Sequence, residues 1–445
     1  MKRFAVFSSI LVAMLVWASA GLARPWRGNP DRLRSLAQPD QVVKWNQELL
    51  QLLQVPGAQP ATVHPTRTLA ITQLAVYDAV NAIKRRFTPY LFHERVPHGA
   101  SAQAAAAAAA RTALLSLLPS QQAAIEAAFQ GSLSELGSGP RVAQGIRVGV
   151  QAANAILAAR AGDGAAATPT PYVPQPGPGE YQLTPPSFAP AAFTQTAHVQ
   201  PFVLGSAQQF RPAPPPALAS ARYARDWNEV KSLGEQTSAT RSVDQTLIGR
   251  FWGAAPIWIV WNQIAEQAAS AFHTGVEQNA RTFALLDATL GDGAIALYDA
   301  KYVYHRWRPI TAITAGDQGN PNTMSDPAWV PLAATANDPS YPGAHATFSQ
   351  AAATVLDGAF RTDRFAFTLN NASTGISRSF QSFSGAADEA TASRIFAGQH
   401  FRYDEDAGQT LGGEVGAFVL DHALLPRMHR DHHHGRDRDR HVRAA

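Results

Sequence analysis

Residues 299–313 read DAKYVYHRWRPITAI and place two cations, Lys301 and Arg308, in an otherwise apolar segment. Seven residues make nearly two full turns of an α-helix, so both side chains are predicted to project from one helix face. Pro309 disfavours α geometry at the residue before it, which predicts that the helix ends at Arg308. Cations in such a segment are costly to bury without an anion, which is either a carboxylate elsewhere in the fold or a bound ligand.

Composition narrows the classes of function. The chain has 445 residues, 46% of them hydrophobic and 16% charged, which is typical of a soluble globular protein with a large core. The formal net charge of +4 is small for this length and does not indicate a nucleic-acid partner. There is no cysteine, which excludes disulfides, cysteine-based zinc sites, iron–sulfur clusters and thiol nucleophiles.

The N-terminus predicts export. Lys2 and Arg3 precede an apolar run from Phe4 to Trp17, and the small residues 18–20 follow. This is the layout of a secretory signal peptide, assigned here to residues 1–23, so we expect a periplasmic or secreted protein. An uncleaved membrane anchor is the alternative, but the apolar run is short for a membrane span, and no span is expected in the mature chain.

The rest of the chain divides by composition. Residues 24–160 are predicted to be an N-terminal helical region, and residues 218–425 a C-terminal helical catalytic domain. Prolines and glycines exclude regular helix from residues 161–217, but aromatic residues there favour an extended, packed segment over a disordered linker. Residues 426–445 form a His/Arg-rich tail that is expected to be disordered. No convincing alternating strand pattern or fixed-period repeat is found, so the predicted fold class is all-α.

A second stretch, SYPGAHATFSQAAATVL at 340–356, bears on the question of the anion. It places His345 where a tight turn meets a helix start, and Gly343 lets a ligand approach the backbone closely. The N–H groups of Gly343, Ala344 and His345 are predicted to point outward at the positive end of the helix dipole. Such a helix start is a ready anion-binding site.

A third stretch, SRIFAGQHFRYDEDAG at 393–408, adds Arg394, His400 and Asp404. Each alone has an ordinary explanation, such as a surface ion pair for the arginine or a core position for the histidine. Together the three stretches supply three cations, a helix N-terminus and two histidines. Three fixed cations suit a tetrahedral oxyanion, and two histidines suit the axial positions of an in-line transfer.

In order and spacing, these stretches resemble the three-part signature of the type 2 phosphatidic acid phosphatase and vanadium haloperoxidase superfamily. A looser similarity to its soluble, secreted bacterial haloperoxidase-like branch covers most of residues 40–425. The resemblance implies an all-α fold of two packed helical bundles of the haloperoxidase/acid-phosphatase type, with the Pro-rich segment lying irregularly across them.

The resemblance also implies roles for individual residues. Three cations would neutralise the oxygens of bound vanadate (orthovanadate), and phosphate would fit the same site: these are Lys301, Arg308 and Arg394. His400 would bind vanadium in a peroxidase or be phosphorylated in a phosphatase. His345 would be the acid–base group, and the N–H of Ala344 would donate to an oxygen.

One position departs from the family. The usual Pro-Ser-Gly-His reads Pro-Gly-Ala-His here, so Gly343 lacks the serine hydroxyl that would also contact the oxyanion. Losing a hydrogen bond to a charged oxygen costs about 1.5–3 kcal/mol. Serine at position 343 is therefore expected to tighten oxyanion binding, unless the backbone there is open only to glycine.

The resemblance predicts a vanadium-dependent haloperoxidase that oxidises halide with hydrogen peroxide and halogenates a small organic acceptor. One alternative is an acid phosphatase that hydrolyses a phosphoester through a phosphohistidine on His400. A second alternative is a non-catalytic exported oxyanion-binding protein. The length, the N-terminal helical region and the predicted secretion favour the peroxidase.

Three aspartates are candidates for supporting roles. Asp338 stands seven residues before the acid–base histidine, where an ionised carboxylate would repel halide, so bromide or iodide is expected rather than chloride. Asp244 and Asp404 are candidates to orient Arg394 or His400, because a ligating histidine usually donates its other nitrogen to a carboxylate or carbonyl. A solvated or capping aspartate is the alternative for both.

Overall fold

The computed structural model describes residues 39–427, apart from 95, 97–98, 255 and 316–318. The predicted signal peptide and most of the predicted tail lie outside these residues, so export stays a prediction. The described residues belong to one compact unit and form thirteen α-helices and one two-stranded sheet. The all-α prediction is confirmed. None of the helices within this part of the chain is long and apolar enough to cross a membrane.

Five helices form the N-terminal group: α1 (Gln41–Leu53), α2 (Pro65–Lys84), α3 (Ala102–Leu117), α4 (Gln122–Leu136) and α5 (Pro140–Arg160). Helix α2 is buried on almost every side, as its apolar sequence predicts. The polyalanine helix α3 packs tightly on α5. A Cβ added to Gly145 or Gly149 would overlap the carbonyl oxygens of Ser101 and Ala105.

Eight helices form the C-terminal group: α6 (Ala221–Gly234), α7 (Val243–Gly253), α8 (Ile257–Ala271), α9 (Val276–Tyr304), α10 (Pro309–Ala315), α11 (Ala344–Phe360), α12 (Phe383–Phe396) and α13 (Arg402–His422). The long helix α9 packs against α2, so the two groups are joined along their central helices.

The Pro-rich segment, residues 161–217, is irregular and partly packed against the helical body. Its regular structure is a single 3₁₀ turn at Thr196–His198, and its aromatic residues Tyr181 and Phe202 are buried. Asp292 of α9 anchors it, because the Asp292 carboxylate accepts the backbone N–H groups of residues 202–204 at 2.6–2.9 Å. Those hydrogen bonds hold residues 202–204 against α9.

A β-hairpin corrects the expectation that no strand is present. Strands β1 (Arg364–Asn371) and β2 (Ile376–Ser382) pair antiparallel. In β1 the side chains of Phe365, Phe367 and Leu369 are buried while their neighbours are exposed. This period of two is the ordinary signal of a half-buried strand, and it was present in the sequence.

The end of α9 also differs from the prediction. The helix stops at Tyr304 because His305 adopts a left-handed conformation (φ 47°) and caps it with an N–H donated to Lys301 O at 3.0 Å. Pro309 does not end a helix but begins α10, where its fixed φ is already helical. Lys301 therefore lies in α9 and Arg308 in the connection that follows it, and the prediction that they share one helix face is wrong.

Close packing of α11 on α13 brings the two histidine-bearing stretches together. A Cβ added to Gly412 would overlap Thr347 O, and one on Gly408 would lie 2.5 Å from Gly343 O. The two helices therefore touch backbone to backbone. The neighbouring Gly413 is outside this seam, since its added Cβ would make only ordinary contact with Gln350, at 3.6 Å.

Candidate functional site

The five predicted catalytic residues come from five separate places in the C-terminal group. Lys301 lies in the last turn of α9 and Arg308 in the connection to α10, while Arg394 lies in the last turn of α12. His345 is in the first turn of α11, and His400 lies just before α13. His345 is half-buried, and the other four are buried.

Asp338 is the anion that Lys301 and Arg308 hold in this structure. Lys301 Nζ lies 3.3 Å from Asp338 Oδ1 and also donates to the carbonyl oxygens of Pro339 and Ser340. Arg308 pairs with the same carboxylate oxygen through Nη2, and its Nε donates to Asp338 O at 2.8 Å. Two hydrogen bonds and one ion pair thus surround the ammonium group, so Lys301 offers a ligand mainly its charge.

The charged groups of this cluster stabilise one another's ionised forms. Burial alone would raise the pKa of Asp338, but Lys301 and Arg308 hold it below its usual value, so Asp338 is ionised. Burial lowers the pKa of Lys301 to about 8, against the opposing effect of Asp338. The cluster carries a net positive charge at neutral pH.

Arg394 is the cation with open donors. Its Nη2 donates to the Gln399 side-chain oxygen, but Nε and Nη1 are buried and have no hydrogen-bond partner among the described residues. Burial lowers the pKa of the guanidinium, which still remains charged at neutral pH. Buried donors without partners cost free energy, and at a functional site they indicate a place where a ligand accepts them.

The N-terminus of α11 supplies further donors, though not all that were predicted. The N–H of Gly343 is unavailable, because it donates to Asp404 O at 2.8 Å. The N–H groups of Ala344 and His345 find no acceptor within the described part of the chain. Two backbone donors at the positive end of a helix therefore remain for an anion.

The contacts of His400 determine its tautomer. Its Nε2 lies 2.9 Å from Arg308 Nη1, and a guanidinium can only donate, so Nε2 carries the lone pair. The proton is then on Nδ1, which lies 3.3 Å from both Ser340 Oγ and Asp404 Oδ2. Burial and the adjacent cations hold the pKa of His400 well below its usual value, so the ring is neutral. A neutral imidazole with a free Nε2 is the form that binds a metal.

His345 has the opposite tautomer. Its Nε2 lies 3.1 Å from Trp252 O, which can only accept, so Nε2 carries the proton and Nδ1 is the free base. Burial and then the charge of Arg394 hold the pKa of His345 well below its usual value. A neutral imidazole with an unprotonated nitrogen can take a proton from a ligand.

Of the two aspartates predicted to orient Arg394 or His400, only one lies at the site. Asp404 lies beside His400, and its carboxylate also accepts from Ser340 Oγ at 2.5 Å and from the N–H of Phe401 at 2.9 Å. Asp244 does not reach the site. It lies at the exposed start of α7 and pairs with Arg378 at 2.5 Å, so its proposed role in orienting Arg394 or His400 is wrong.

Sequence reasoning missed two residues of this site. Gln399 links the arginines, since its backbone oxygen accepts from Arg308 at 3.1 Å and its side chain accepts from Arg394. Glu405 is fully buried, with Oε1 3.6 Å from His400 Nδ1. The acidic run DED in the third stretch was a signal for Glu405, but acidic runs at helix starts are usually solvated.

Comparisons with known proteins find relatives of the same fold. The family model of the VCPO second helical-bundle domain matches residues 281–427. The first bacterial vanadium-dependent iodoperoxidase of known structure is similar at 25% identity and a TM-score of 0.74, over 90% of this chain and 98% of that one. No curated protein matches the chain.

A bacterial vanadium-dependent chloroperoxidase is similar in two forms, each at 16% identity. The holo form has a TM-score of 0.68 over 86% of this chain and 97% of that one. The apo form has a TM-score of 0.66 over 87% and 98%. At this identity the likeness shows a shared fold alone.

Proposed function

Because the chain belongs to the vanadium haloperoxidase superfamily, we propose that it oxidises halide with hydrogen peroxide at a vanadate bound by His400. One observation carries the proposal. Two unpartnered, buried N–H groups of Arg394 belong to the same pocket as a histidine whose Nε2 is unprotonated. An oxyanion whose central atom accepts a nitrogen ligand satisfies both requirements at once.

The pocket residues fit vanadate. His400 Nε2 would be the metal ligand, and Arg394 with the N–H groups of Ala344 and His345 would donate to the oxygens. Lys301 and Arg308 would add positive charge. Bound vanadate supplies a Lewis-acid centre that polarises hydrogen peroxide.

Ligand binding has a consequence for Arg308. A single lone pair on His400 Nε2 cannot both accept from Arg308 Nη1 and bind a metal. If His400 Nε2 held the metal, one Nη1 hydrogen of Arg308 would become available to an oxygen of the oxyanion, while the other would stay on Gln399 O. This N–H would add a third kind of donor for the oxyanion. Asp404 and Ser340 hold the opposite edge of the His400 ring, so its orientation persists during this exchange.

His345 would handle the proton. Its free Nδ1 accepts a proton from incoming hydrogen peroxide, while the hydrogen bond from Nε2 to Trp252 O fixes the ring. The low pKa keeps this base unprotonated at neutral pH and makes the proton easy to return.

For the halide we propose bromide or iodide rather than chloride. Asp338 is ionised, so an approaching halide meets a carboxylate, although Lys301 and Arg308 offset much of its charge. Halides that are easily oxidised tolerate a poorer binding site. The iodoperoxidase that resembles this chain at 25% identity accords with this choice. The halogenated product would form on a small organic acceptor.

The test is an assay of purified protein with and without orthovanadate, against chloride, bromide and iodide, alongside hydrolysis of a phosphomonoester. We expect peroxide-dependent bromide or iodide oxidation only with vanadate. His400→Ala should abolish it, while His422→Ala, at an exposed position of α13, should not. Phosphoester hydrolysis without halide oxidation would instead identify an acid phosphatase. If the protein showed neither activity, the oxyanion-binding alternative would remain.

A further inference from the structure

Gly343 is not required by its backbone. Its φ of −72° and ψ of 125° are open to any residue. What excludes a side chain is Glu405. A Cβ built on Gly343 would overlap Glu405 Oε1 and lie 2.7 Å from its Cδ and 3.0 Å from its Oε2. The Glu405 carboxyl group thus fills the space that a side chain at position 343 would occupy. Neither sequence expectation for serine, a gained donor or a strained backbone, describes this arrangement.

Glu405 is itself unsatisfied. It lies in the first turn of α13 with 0% exposure, and neither carboxyl oxygen has a hydrogen-bond partner among the residues described. His400 Nδ1 lies 3.6 Å from Oε1, beyond hydrogen-bond reach. A fully buried carboxyl group without a partner is costly. Glu405, like Arg394, thus has buried polar atoms whose lack of a hydrogen-bond partner costs free energy.

These two sets of unsatisfied atoms have complementary needs. Arg394 needs an acceptor, and it donates to the side chain of Gln399, the residue next to His400. Glu405 Oε1 lies 3.6 Å from His400 Nδ1, so both groups border the same histidine segment. Glu405 needs a group that shares a proton with it. A partly protonated oxyanion such as phosphate or vanadate meets both needs, because some of its oxygens accept and a hydroxyl oxygen can share its proton.

We infer that the Glu405 carboxyl group takes the place of the missing side chain at position 343 and hydrogen-bonds an oxygen of the bound oxyanion. One proton lies between the two oxygens, and no covalent bond is made or broken. Without that proton, two anions would face each other in a buried pocket, which is unfavourable. The inference rests on the proposed function only in requiring that the pocket bind an oxyanion.

The experiment measures binding of inorganic phosphate and of orthovanadate by calorimetry. Glu405→Ala should weaken both about tenfold to a hundredfold, as expected for one charge-assisted hydrogen bond. Glu405→Gln keeps the shape and a hydrogen-bonding group, so it should bind close to wild type. Glu414→Ala, on the exposed face of the same helix, is the matched control and should not change the affinity.

A volume exchange tests the geometry separately. Gly343→Ser alone should weaken binding or destabilise the fold, because its Cβ overlaps the Glu405 carboxyl group. The double variant Gly343→Ser/Glu405→Ala should recover affinity, since the vacated space accepts the serine hydroxyl. If the single serine variant does not fold, the double variant and the two Glu405 variants still decide the question.

Opposite results would overturn the inference. These are unchanged or tighter binding by a folded Glu405→Ala, or full stability and affinity in Gly343→Ser alone. Failure of the proposed function gives a different result. In that case wild type binds the anions and Glu405→Ala binds them more weakly, but vanadate elicits no halide oxidation. Wild type that binds neither anion would refute both.

Discussion

Replacing Asp338 by asparagine should destabilise the folded protein when no anion is bound. A bound anion should then stabilise the folded variant more than it stabilises wild type. Asparagine keeps the shape and one acceptor oxygen but removes the charge that neutralises Lys301 and Arg308, both at most 1% exposed. Removing one partner of a buried ion pair costs about 3–5 kcal/mol. Because Arg308 Nε keeps its bond to the backbone oxygen of residue 338, we expect the lower end, about 3 kcal/mol.

The assay is urea unfolding at neutral pH, followed by circular dichroism, first in buffer free of phosphate and vanadate. Asp244→Asn is the control, because it makes the same change in an exposed pair with Arg378 and should cost about 0–1 kcal/mol. Phosphate is then added to each protein. A ligand stabilises the folded state by RT ln(1 + [L]/Kd), so phosphate should stabilise Asp338→Asn more than wild type, since two uncompensated cations bind an anion more tightly.

Two results would refute this reasoning. If Asp338→Asn were no less stable than Asp244→Asn, Asp338 would not be the counterion of the buried cations. If phosphate stabilised wild type and Asp338→Asn equally, Lys301 and Arg308 would not face the anion pocket.

Three further predictions concern other parts of the molecule. His400→Ala should weaken vanadate binding, whereas His345→Ala should spare it and slow turnover about 10²–10⁴-fold; equal losses of affinity by calorimetry would contradict their separate roles. Asp287 is buried in α9, where its carboxyl group accepts a hydrogen bond from Asn262. Burial raises the pKa of Asp287 to about 7, so its contribution to the stability of the protein is fully present below about pH 4 and is lost as pH rises through 7. Asp287→Asn should therefore be more stable than wild type above pH 7, by up to about 4 kcal/mol at 1.36 kcal/mol per pKa unit, with no difference below pH 4 in urea unfolding. Gly412→Ala should destabilise the α11–α13 contact by about 1–3 kcal/mol, while Gly413→Ala should be neutral or gain up to about 1 kcal/mol; similar unfolding temperatures for both would show that the helices are not in backbone contact.

Local sequence was sufficient for the parts of the fold that depend on neighbouring residues. The buried helix α2 and the start of α11 follow from apolar patterning and from turn residues before a helix. The β1 strand was also readable from alternating Phe365, Phe367 and Leu369, and it was missed because one short strand is weak evidence amid many helices. The break at His305 was not readable, since a left-handed histidine has no strong local signal.

The sequence by itself determined which chemical groups are available: three cations, two histidines and a helix start without the usual serine. These are properties of residue type and spacing. The tertiary structure decided which of their atoms are free. Residues 338–340 take the donors of Lys301, and Arg308 donates to Asp338, Gln399 and His400. Asp404 takes the N–H of Gly343, and among these cations only Arg394 has side-chain nitrogens with no partner in the described residues. Such pairings join atoms 30 to 92 residues apart, as between Arg308 and Asp338 or His400, and Glu405 fills the place of a side chain on a different helix. A hydrogen bond or a steric overlap depends on distances of a few tenths of an ångström, which are set by the packing of whole helices and not by the order of residues along any one of them.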